Sequence, residues 1–308
     1  MYRFLLFLLC WLSLELIAPE SVRAESPEKI GSVSVELLEA GSMPRREIRF
    51  IPKKGAKQTS VMTMTMSQSM TIDGKKLPSQ NIPPQKITME IGIDDVSSNG
   101  DIEFAFKYTD LDVVDDPNNP SPLAPVLRTT LKPLIGATGS GLVTNRGFTK
   151  RGEMKIPDDL AAPLKQSLDG MKDAMNRLSS PVPGEKIGMG AKWRVVQDIN
   201  ANGIQLKQTS IHELTRLDEK GFAMKVTLTQ LAEPQEIKNP ALPAGTKLSL
   251  VSLDTSGQGA STIAMDSIFP TESEITIESR TNMQVETPAG QQKMSTEMKL
   301  GMTLAGTK

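Results

Sequence analysis

The chain has almost no side chains that carry covalent or metal chemistry. Its 308 residues include one cysteine, Cys10, and one histidine, His212. Disulfide bonds and thiolate zinc clusters need more than one cysteine, so the sequence argues against both. A cysteine–histidine nucleophile pair would need Cys10, which lies in an N-terminal stretch that we expect to be removed on export. A serine–histidine–aspartate triad would have to use His212, but a lone histidine in a strand-like stretch is more often structural. The sequence therefore predicts a protein that is not an enzyme and that uses no cofactor and no metal.

A strong charge of either sign is also missing. Lysine and arginine total 35, aspartate and glutamate total 36, and the net charge is −1. Proteins that bind nucleic acid or anionic membrane surfaces usually carry a clear basic excess. The sequence therefore gives no electrostatic reason to expect nucleic acid as a partner, and it does not indicate a protein partner.

Aromatic residues are scarce, at 4% of the chain, whereas methionine is unusually frequent, with 17 residues. The clearest methionine pattern lies between residues 59 and 72, where methionine and isoleucine alternate with threonine and serine. A period of two over this length predicts a long strand with one apolar face and one polar face. The apolar face of this strand carries Met62, Met64, Met66, Met70 and Ile72.

Three interpretations of these methionines are open. They fill gaps in an ordinary core, for which methionine is well suited. They line an apolar groove. Alternatively, the thioethers of Met62, Met64 and Met66 bind Cu(I), because soft sulfur ligands suit that ion. Methionines at apolar positions of other predicted strands favour one common, non-metal role. We take Met62, Met64, Met66, Met70 and Met89 as the candidate ligand-binding residues.

Residues 1–24 have the features of an export signal. Arg3 supplies a positive start, residues 4–17 form an apolar stretch that Glu15 interrupts late, and Val22-Arg23-Ala24 offers small residues at the positions that a signal peptidase reads. The apolar stretch is too short to predict a membrane span, and Cys10 lacks the context of a lipid attachment site. We expect an exported protein, not transmembrane after cleavage, in the bacterial periplasm or outside the cell. The lack of disulfides favours a bacterial envelope over a eukaryotic secretory route.

Two regions, residues 25–120 and 181–308, have the pattern of antiparallel sheets. Each contains alternating apolar segments joined by short turns, such as Ser98-Asn99-Gly100 in the first region and residues 218–221 in the second. The segment after the first of these turns alternates at Ile102, Phe104, Phe106 and Tyr108. The hairpins around these two turns look equivalent, which favours two diverged repeats of one meander. We therefore predict a mainly β (α+β) fold, in which two antiparallel meander repeats form curved sheets or half-barrels.

The segment between them, residues 121–180, is the only part with helical periodicity. Ser121-Pro122 has the form of an N-cap followed by proline in the first helical position. Leucines then recur every four residues before Gly136, and Val126 widens this apolar stripe. A second apolar stripe follows between residues 158 and 178. We predict two amphipathic helices in this segment, with a glycine-rich strand inserted at residues 136–144.

Two stretches superficially suggest phosphate or ion binding. Residues 136–141 are glycine-rich like a phosphate loop, but they lack the following lysine and lead into a strand. Residues 110–119 are rich in aspartate and asparagine, which suit calcium, but they lack the glycine and the final glutamate of an EF-hand. We interpret the first stretch as part of a strand and the second as a solvated loop that precedes a helix.

Residues 181–193 form a proline-rich turn that leads into a strand through a V/I-x-x-G-x-x-W pattern. Ile187, Gly190 and Trp193 occupy its three defined places. This segment resembles one in uncharacterised exported bacterial β-rich proteins, and the resemblance covers residues 160–269. The overall plan is similar to the half-barrel of lipoprotein carriers, which implies a curved sheet around helices and no transferable activity.

Two functional classes fit these observations. The first is a non-enzymatic envelope protein that holds an apolar ligand, such as a lipid, in a methionine-lined groove covered by an amphipathic helix. The second is a structural or protein-interaction module of the envelope with a dry core and no ligand. We favour the first class, and the sequence does not identify the ligand.

Overall fold

The computed structural model describes residues 28–30, 33–78, 80–115, 118, 120–155, 181–201, 203–237, 245–288 and 290–307. Within these residues the chain is mainly antiparallel β structure with one short α-helix, which confirms the predicted fold class. The predicted export signal at residues 1–24 and the second predicted helix at residues 158–178 lie outside the described residues.

Fifteen strands are numbered in chain order. Their bounds are Glu28–Ile30 (β1), Val33–Glu39 (β2), Lys57–Ile72 (β3), Lys75–Lys76 (β4), Gln80–Val96 (β5), Ile102–Val113 (β6), Thr138–Val143 (β7), Thr149–Lys155 (β8), Lys192–Ala201 (β9), Ile204–Leu217 (β10), Gly221–Ala232 (β11), Gln235–Ile237 (β12), Lys247–Ala264 (β13), Glu272–Thr287 (β14) and Gly290–Thr307 (β15). The helix α1 spans Ala124–Leu131 and continues into a 3₁₀ turn at Lys132–Leu134.

All of these strands belong to a single sheet. Strands β3, β5, β6, β7 and β8 form one antiparallel meander, and β9, β10, β11, β13, β14 and β15 form a second. The antiparallel pairing of β15 with β3 merges the two meanders, while β2 pairs with β9 and carries β1 on its free side. Among the described residues the sheet is therefore open, with β1 and β8 at its two edges.

The sheet is curved, because residues from distant positions in the strand order share one hydrophobic core. Val33 and Val35 of β2, near one edge, belong to the same buried cluster as Phe104 and Phe106 of β6, near the other. Met224 of β11 also belongs to it. We call the face of the sheet that carries these residues the inner face, and the opposite face the outer face.

The loop between β2 and β3 ties the two meanders together across this core. The Phe50 N–H donates to the Asn145 carbonyl and the Ile51 N–H donates to the Met265 carbonyl, both at 2.7 Å. Asn145 lies in the β7–β8 turn and Met265 follows β13, so adjacent residues of one loop contact both meanders. Phe50 itself is buried, at 6% exposure.

The local patterns expected from the sequence are present in β6 and in the turns. Ile102, Phe104, Phe106 and Tyr108 are buried and the residues between them face outward or are half-buried. The residues between β5 and β6 turn at Gly100, which has a φ of +85°. This alternation is the pattern expected of a strand that buries one of its two faces.

The first helix starts later than predicted. Leu123 is the N-cap residue of α1, so Pro122 does not occupy the first helical position. Pro125 falls within the first two helical positions instead, where its missing N–H also costs nothing. Ser121 still shapes the entry, because its hydroxyl accepts from the Leu123 N–H at 3.3 Å. Val126, which was expected to widen the apolar stripe, is 60% exposed.

The glycines of the rejected phosphate loop have a packing role in β7. A Cβ at Gly139 would overlap the Phe106 ring, and a Cβ at Gly141 would stand 2.6 Å from the Phe104 ring. Both glycines pair directly with these phenylalanines across the sheet. Their missing side chains let the two rings lie over the neighbouring strand.

Replacement of Gly139 by alanine should therefore lower the free energy of unfolding by about 1–3 kcal/mol, because the added methyl group overpacks the core. The new Cβ would also stand 2.8 Å from the Glu153 carbonyl oxygen, which cannot move independently of β8. Urea unfolding followed by circular dichroism measures the change.

The matched control is Gly92→Ala in β5, where no atom lies within 4 Å of the added methyl group. We expect this variant to be within about 0.5 kcal/mol of the wild type or slightly more stable. Equal stability of the two alanine variants would show that the phenylalanine rings do not need the glycines.

Candidate functional site

A cavity of about 440 Å³ lies between the two meanders on the inner face. Its lining is mainly apolar, and it draws residues from β5, β6, β11 and β13 and from the turn after β13. The principal apolar side chains in the lining are Met89, Phe104, Phe106, Met224, Ile263 and Phe269. A volume of this size lies within the range of about 300–1,000 Å³ that small-molecule sites occupy.

The sequence positions these side chains through the alternation of β6 and through aromatic packing. Phe104 and Phe106 are two residues apart and therefore point to the same face. Phe269, from the turn between β13 and β14, meets Phe104 edge-on, with ring centroids 5.5 Å apart and planes at 77°. This T-shaped contact fixes the turn against β6 and helps to shape the cavity wall.

The polar residues that line the cavity are Tyr108, Thr149, Arg151 and Ser261. The Ser261 hydroxyl lies 2.8 Å from the Ser273 hydroxyl, with which it shares a hydrogen bond. Tyr108 is 9% exposed, and burial raises the pKa of its phenol above the usual value, so it stays protonated at neutral pH.

The Arg151 side chain belongs to the outer face. Arg151 is paired with Leu142, which is in turn paired with Glu103. The guanidinium lies 3.8 Å from Glu103 and 3.9 Å from Glu153 and is 58% exposed. The guanidinium thus lies on the outer face near two carboxylates, although Arg151 forms part of the cavity wall.

The five methionines selected from the sequence fall into two groups. Met89 lines the cavity. The other four lie on β3, where none is fully buried and none is fully exposed. These four are Met62, Met64, Met66 and Met70.

The β3 methionines share the inner face with the cavity. Direct cross-strand pairs lead from Met224 through Ser261, Ser273 and Leu304 to Met62. Paired residues in antiparallel strands point to the same face, so Met62 lies on the same side of the sheet as the cavity-lining Met224.

Farther along the strands this face becomes a half-buried apolar surface, which we call the methionine face. Met64 pairs with Met302 and Met66 pairs with Leu300. Met302 and Leu300 pair in turn with Ile275 and Ile277 of β14. Each of these side chains is half-buried.

The outer face of the same strands is polar. Thr63 pairs with Thr303 there. Lys299 lies 2.9 Å from Glu278, and Arg280 lies 2.8 Å from Glu297. The long strands are therefore amphipathic across the sheet, and the polar face carries the charges that keep it in water.

The aspartate-rich stretch before α1 makes hydrogen bonds and an ion pair within the chain. The Asp115 carboxylate accepts from the Ser121 N–H at 2.9 Å, and Asp112 lies 3.3 Å from Arg128. Across the described ranges no three His, Cys, Asp or Glu side chains are grouped closely enough to hold a metal ion.

His212 is buried on the inner face of β10, at 4% exposure, and stacks on Trp193 with centroids 5.2 Å apart and planes 7° apart. Its Nε2 atom lies 3.0 Å from the Ser210 hydroxyl. Its Nδ1 atom has no hydrogen-bond partner in the part of the chain that the structure describes. Burial lowers its pKa to about 4.

This serine–histidine contact does not have the geometry of a nucleophile site. A catalytic histidine is oriented by a third group at its other ring nitrogen, and Nδ1 of His212 lacks one among the described residues. Neither Ser210 nor His212 lines the cavity. The arrangement is that of a structural histidine stacked in the core.

No protein-family model matches the chain, and no curated protein matches it. Two solved structures of engineered mutants of the Rh. blastica porin show 8% and 7% sequence identity, with TM-scores of 0.19 and 0.17. Each comparison covers 79% of this chain and 99% of the porin. A structure described as "Asymmetric conductivity of engineered proteins" shows 7% identity and a TM-score of 0.16, over 80% of this chain and 100% of that one.

Likenesses at these scores carry no argument about this chain. Within the described ranges, no helix has both the length and the apolar character needed to cross a membrane. The cavity and the methionine face are the features of this chain that point to a function.

Sequence reasoning missed the aromatic lining of the cavity. Phe104 and Phe106 were placed on one strand face, but nothing local indicates that Phe269 and Met224 meet them. The available signal was the pair Gly139 and Gly141, since glycines two residues apart in a strand suggest that large neighbours lie over it.

Proposed function

We propose that this protein is a non-enzymatic exported envelope protein that binds an apolar ligand, such as a lipid acyl chain, on the inner face of its sheet. The observation that carries the proposal is the cavity of about 440 Å³ with its aromatic and methionine lining. Cavities of this character bury most of a small ligand and use a few polar groups to orient it.

The methionine face extends this site. Met62 pairs with Ile87 on β5, two residues from the cavity-lining Met89, so apolar side chains continue from the cavity along the long strands. Methionine side chains are flexible and polarizable, which suits them to ligands of variable shape. We assign Met62, Met64, Met66, Met70 and Met89 to contacts with the ligand.

The location follows from the N-terminal sequence. Residues 1–24 combine a basic start, an apolar stretch and a small-residue cleavage point, which supports export to the bacterial periplasm or beyond. A mature chain without cysteine needs no oxidative folding there. The near-neutral charge supports an apolar ligand rather than nucleic acid.

Ligand affinity should rise with acyl chain length until the cavity is full, because each buried methylene contributes about 0.8 kcal/mol. Filling the cavity should abolish this gain. We expect Val143→Phe, which places a ring in the cavity, to weaken uptake of a fluorescent fatty-acid probe at least about tenfold. Fluorescence titration of the purified mature protein measures it.

The matched control is Val251→Phe. Val251 is 48% exposed and lies outside the cavity lining, so this variant should bind the probe as the wild type does. If Met64→Asp takes up less probe while Val143→Phe takes up the normal amount, the ligand binds on the methionine face and not in the cavity. Failure of the wild type to take up any probe would overturn the proposal and leave a structural or interaction module.

A further inference from the structure

Tyr108 is one of the few polar residues in the mainly apolar lining of the cavity. The residue lies on β6, is 9% exposed, and packs against Phe106 with ring centroids 5.6 Å apart. Among the described residues its hydroxyl group makes no hydrogen bond with side chain or backbone. A phenol in such a position usually finds a partner, because the hydroxyl group is the polar end of the side chain.

The other polar groups of the lining are already engaged. Ser261 is bonded to Ser273, Thr149 has a partner of its own, and the Arg151 guanidinium stands outside beside Glu103 and Glu153. Tyr108 is therefore the residue whose hydrogen-bonding capacity remains for a molecule in the cavity. A hydrogen bond from this hydroxyl to an acceptor on the ligand would favour ligands that carry an acceptor at that place.

The charge of the ligand follows from what surrounds this hydroxyl. The guanidinium of Arg151, the one charged residue of the lining, lies on the outer face beside Glu103 and Glu153, and the remaining lining is neutral. A carboxylate or phosphate drawn into this space would lose its hydration without gaining a counter-ion, which is costly. An ester or amide carbonyl accepts a hydrogen bond at a much smaller desolvation cost.

We propose that the cavity selects acyl lipids whose head is an uncharged hydrogen-bond acceptor, such as an ester or amide carbonyl, and that the Tyr108 hydroxyl donates to that carbonyl. This inference rests on the proposed function and adds the chemical class of the ligand. The apolar tail fills the space between Phe104, Phe269 and Met224. The hydrogen bond from Tyr108 orients the uncharged head group.

The test is displacement of the neutral probe N-phenyl-1-naphthylamine by three ligands of equal chain length at pH 8. Methyl dodecanoate carries a neutral acceptor, dodecanoate carries a negative charge, and dodecane carries neither. We expect the wild type to bind methyl dodecanoate most tightly. Tyr108→Phe should weaken binding of this ester about five- to tenfold, as expected for the loss of one hydrogen bond, and leave dodecane unchanged.

Tyr108→Phe preserves the ring that packs on Phe106, and a thermal melt by circular dichroism verifies that the variant is folded. Tighter binding of dodecanoate than of the ester, or equal ester binding by the wild type and the variant, would overturn the headgroup inference while the cavity function stands. Failure of the wild type to bind the probe and all three ligands would overturn the proposed function as well.

Discussion

Replacing Trp193 by alanine should lower the free energy of unfolding by about 3–5 kcal/mol, the usual cost of removing a buried tryptophan. Trp193 is fully buried, at 0% exposure. Its indole N–H donates to the Pro181 carbonyl at 3.0 Å, and its ring stacks on His212. Alanine at this position leaves a void in the core, an orphaned carbonyl and an unstacked imidazole. Because small domains have only about 5–15 kcal/mol of total stability, much of the population should unfold at elevated temperature.

Urea unfolding followed by far-ultraviolet circular dichroism checks this result, since fluorescence is lost with the indole. The graded control is Trp193→Phe, which keeps an aromatic ring beside His212 but removes the donor to Pro181. We expect it to cost less than the alanine variant, about 1–3 kcal/mol. An alanine variant within 1 kcal/mol of the wild type would refute the central role of this side chain.

Acidification from pH 7 to pH 4.5 should destabilise the protein by about 2–3 kcal/mol through His212 alone. Burial lowers the folded-state pKa of this imidazole to about 4, against an ordinary value of 6.5. The unfolded chain therefore binds a proton between these two values that the folded chain rejects. Stability from this source is full above pH 6.5 and is lost as the pH falls toward 4.

The chain is well suited to this measurement because His212 is its only histidine. Its cross-strand neighbours on the inner face, Trp193 and Val226, carry no charge that would offset protonation. The control is His212→Phe, which keeps the stack on Trp193 and cannot titrate. On acidification from pH 7 to pH 4.5, the unfolding free energy of the wild type should fall by about 2–3 kcal/mol more than that of the variant. A difference between the two unfolding free energies that does not change with pH would contradict the assignment.

Local features of the fold were predictable because they depend on neighbours in the sequence. The period-two pattern of β6 and the turn at Gly100 each need only a few consecutive residues to be recognised. The helix start was misplaced by two positions, since both Pro122 and Pro125 are compatible with a first turn.

The order of the strands in the sheet could not be predicted from the sequence pattern. Alternation shows that β15 has an apolar face, but any strand with a similar face could satisfy it. The pairing of β15 with β3 places Met302 opposite Met64 and Leu300 opposite Met66. Which strand pairs with β15 depends on the packing of all the strands together. The same holds for the pairing of β2 with β9.

The same distinction separates the two parts of the candidate site. Met89 was selected for its place in an alternating strand, and it lines the cavity. Phe269 and Met224 reach the same cavity from other strands and turns, and no local period indicates their convergence. The polar end of the site, Tyr108, was recognised only as one member of an alternating set.

The junction of β3 and β15 also determines when the sheet can form during synthesis. Thr65 and Gly301 are hydrogen-bonded although they lie 236 positions apart in the chain. Because the chain is made in sequence order, the edge of β3 that pairs with β15 stays unpaired until residues 290–307 have been synthesised. Pairings of such high contact order are slow, and unpaired apolar edges associate with other chains. Of the pairings in this sheet, the one that β3 makes with β15 therefore leaves one edge of a long, partly apolar strand unpaired until the last strand is available.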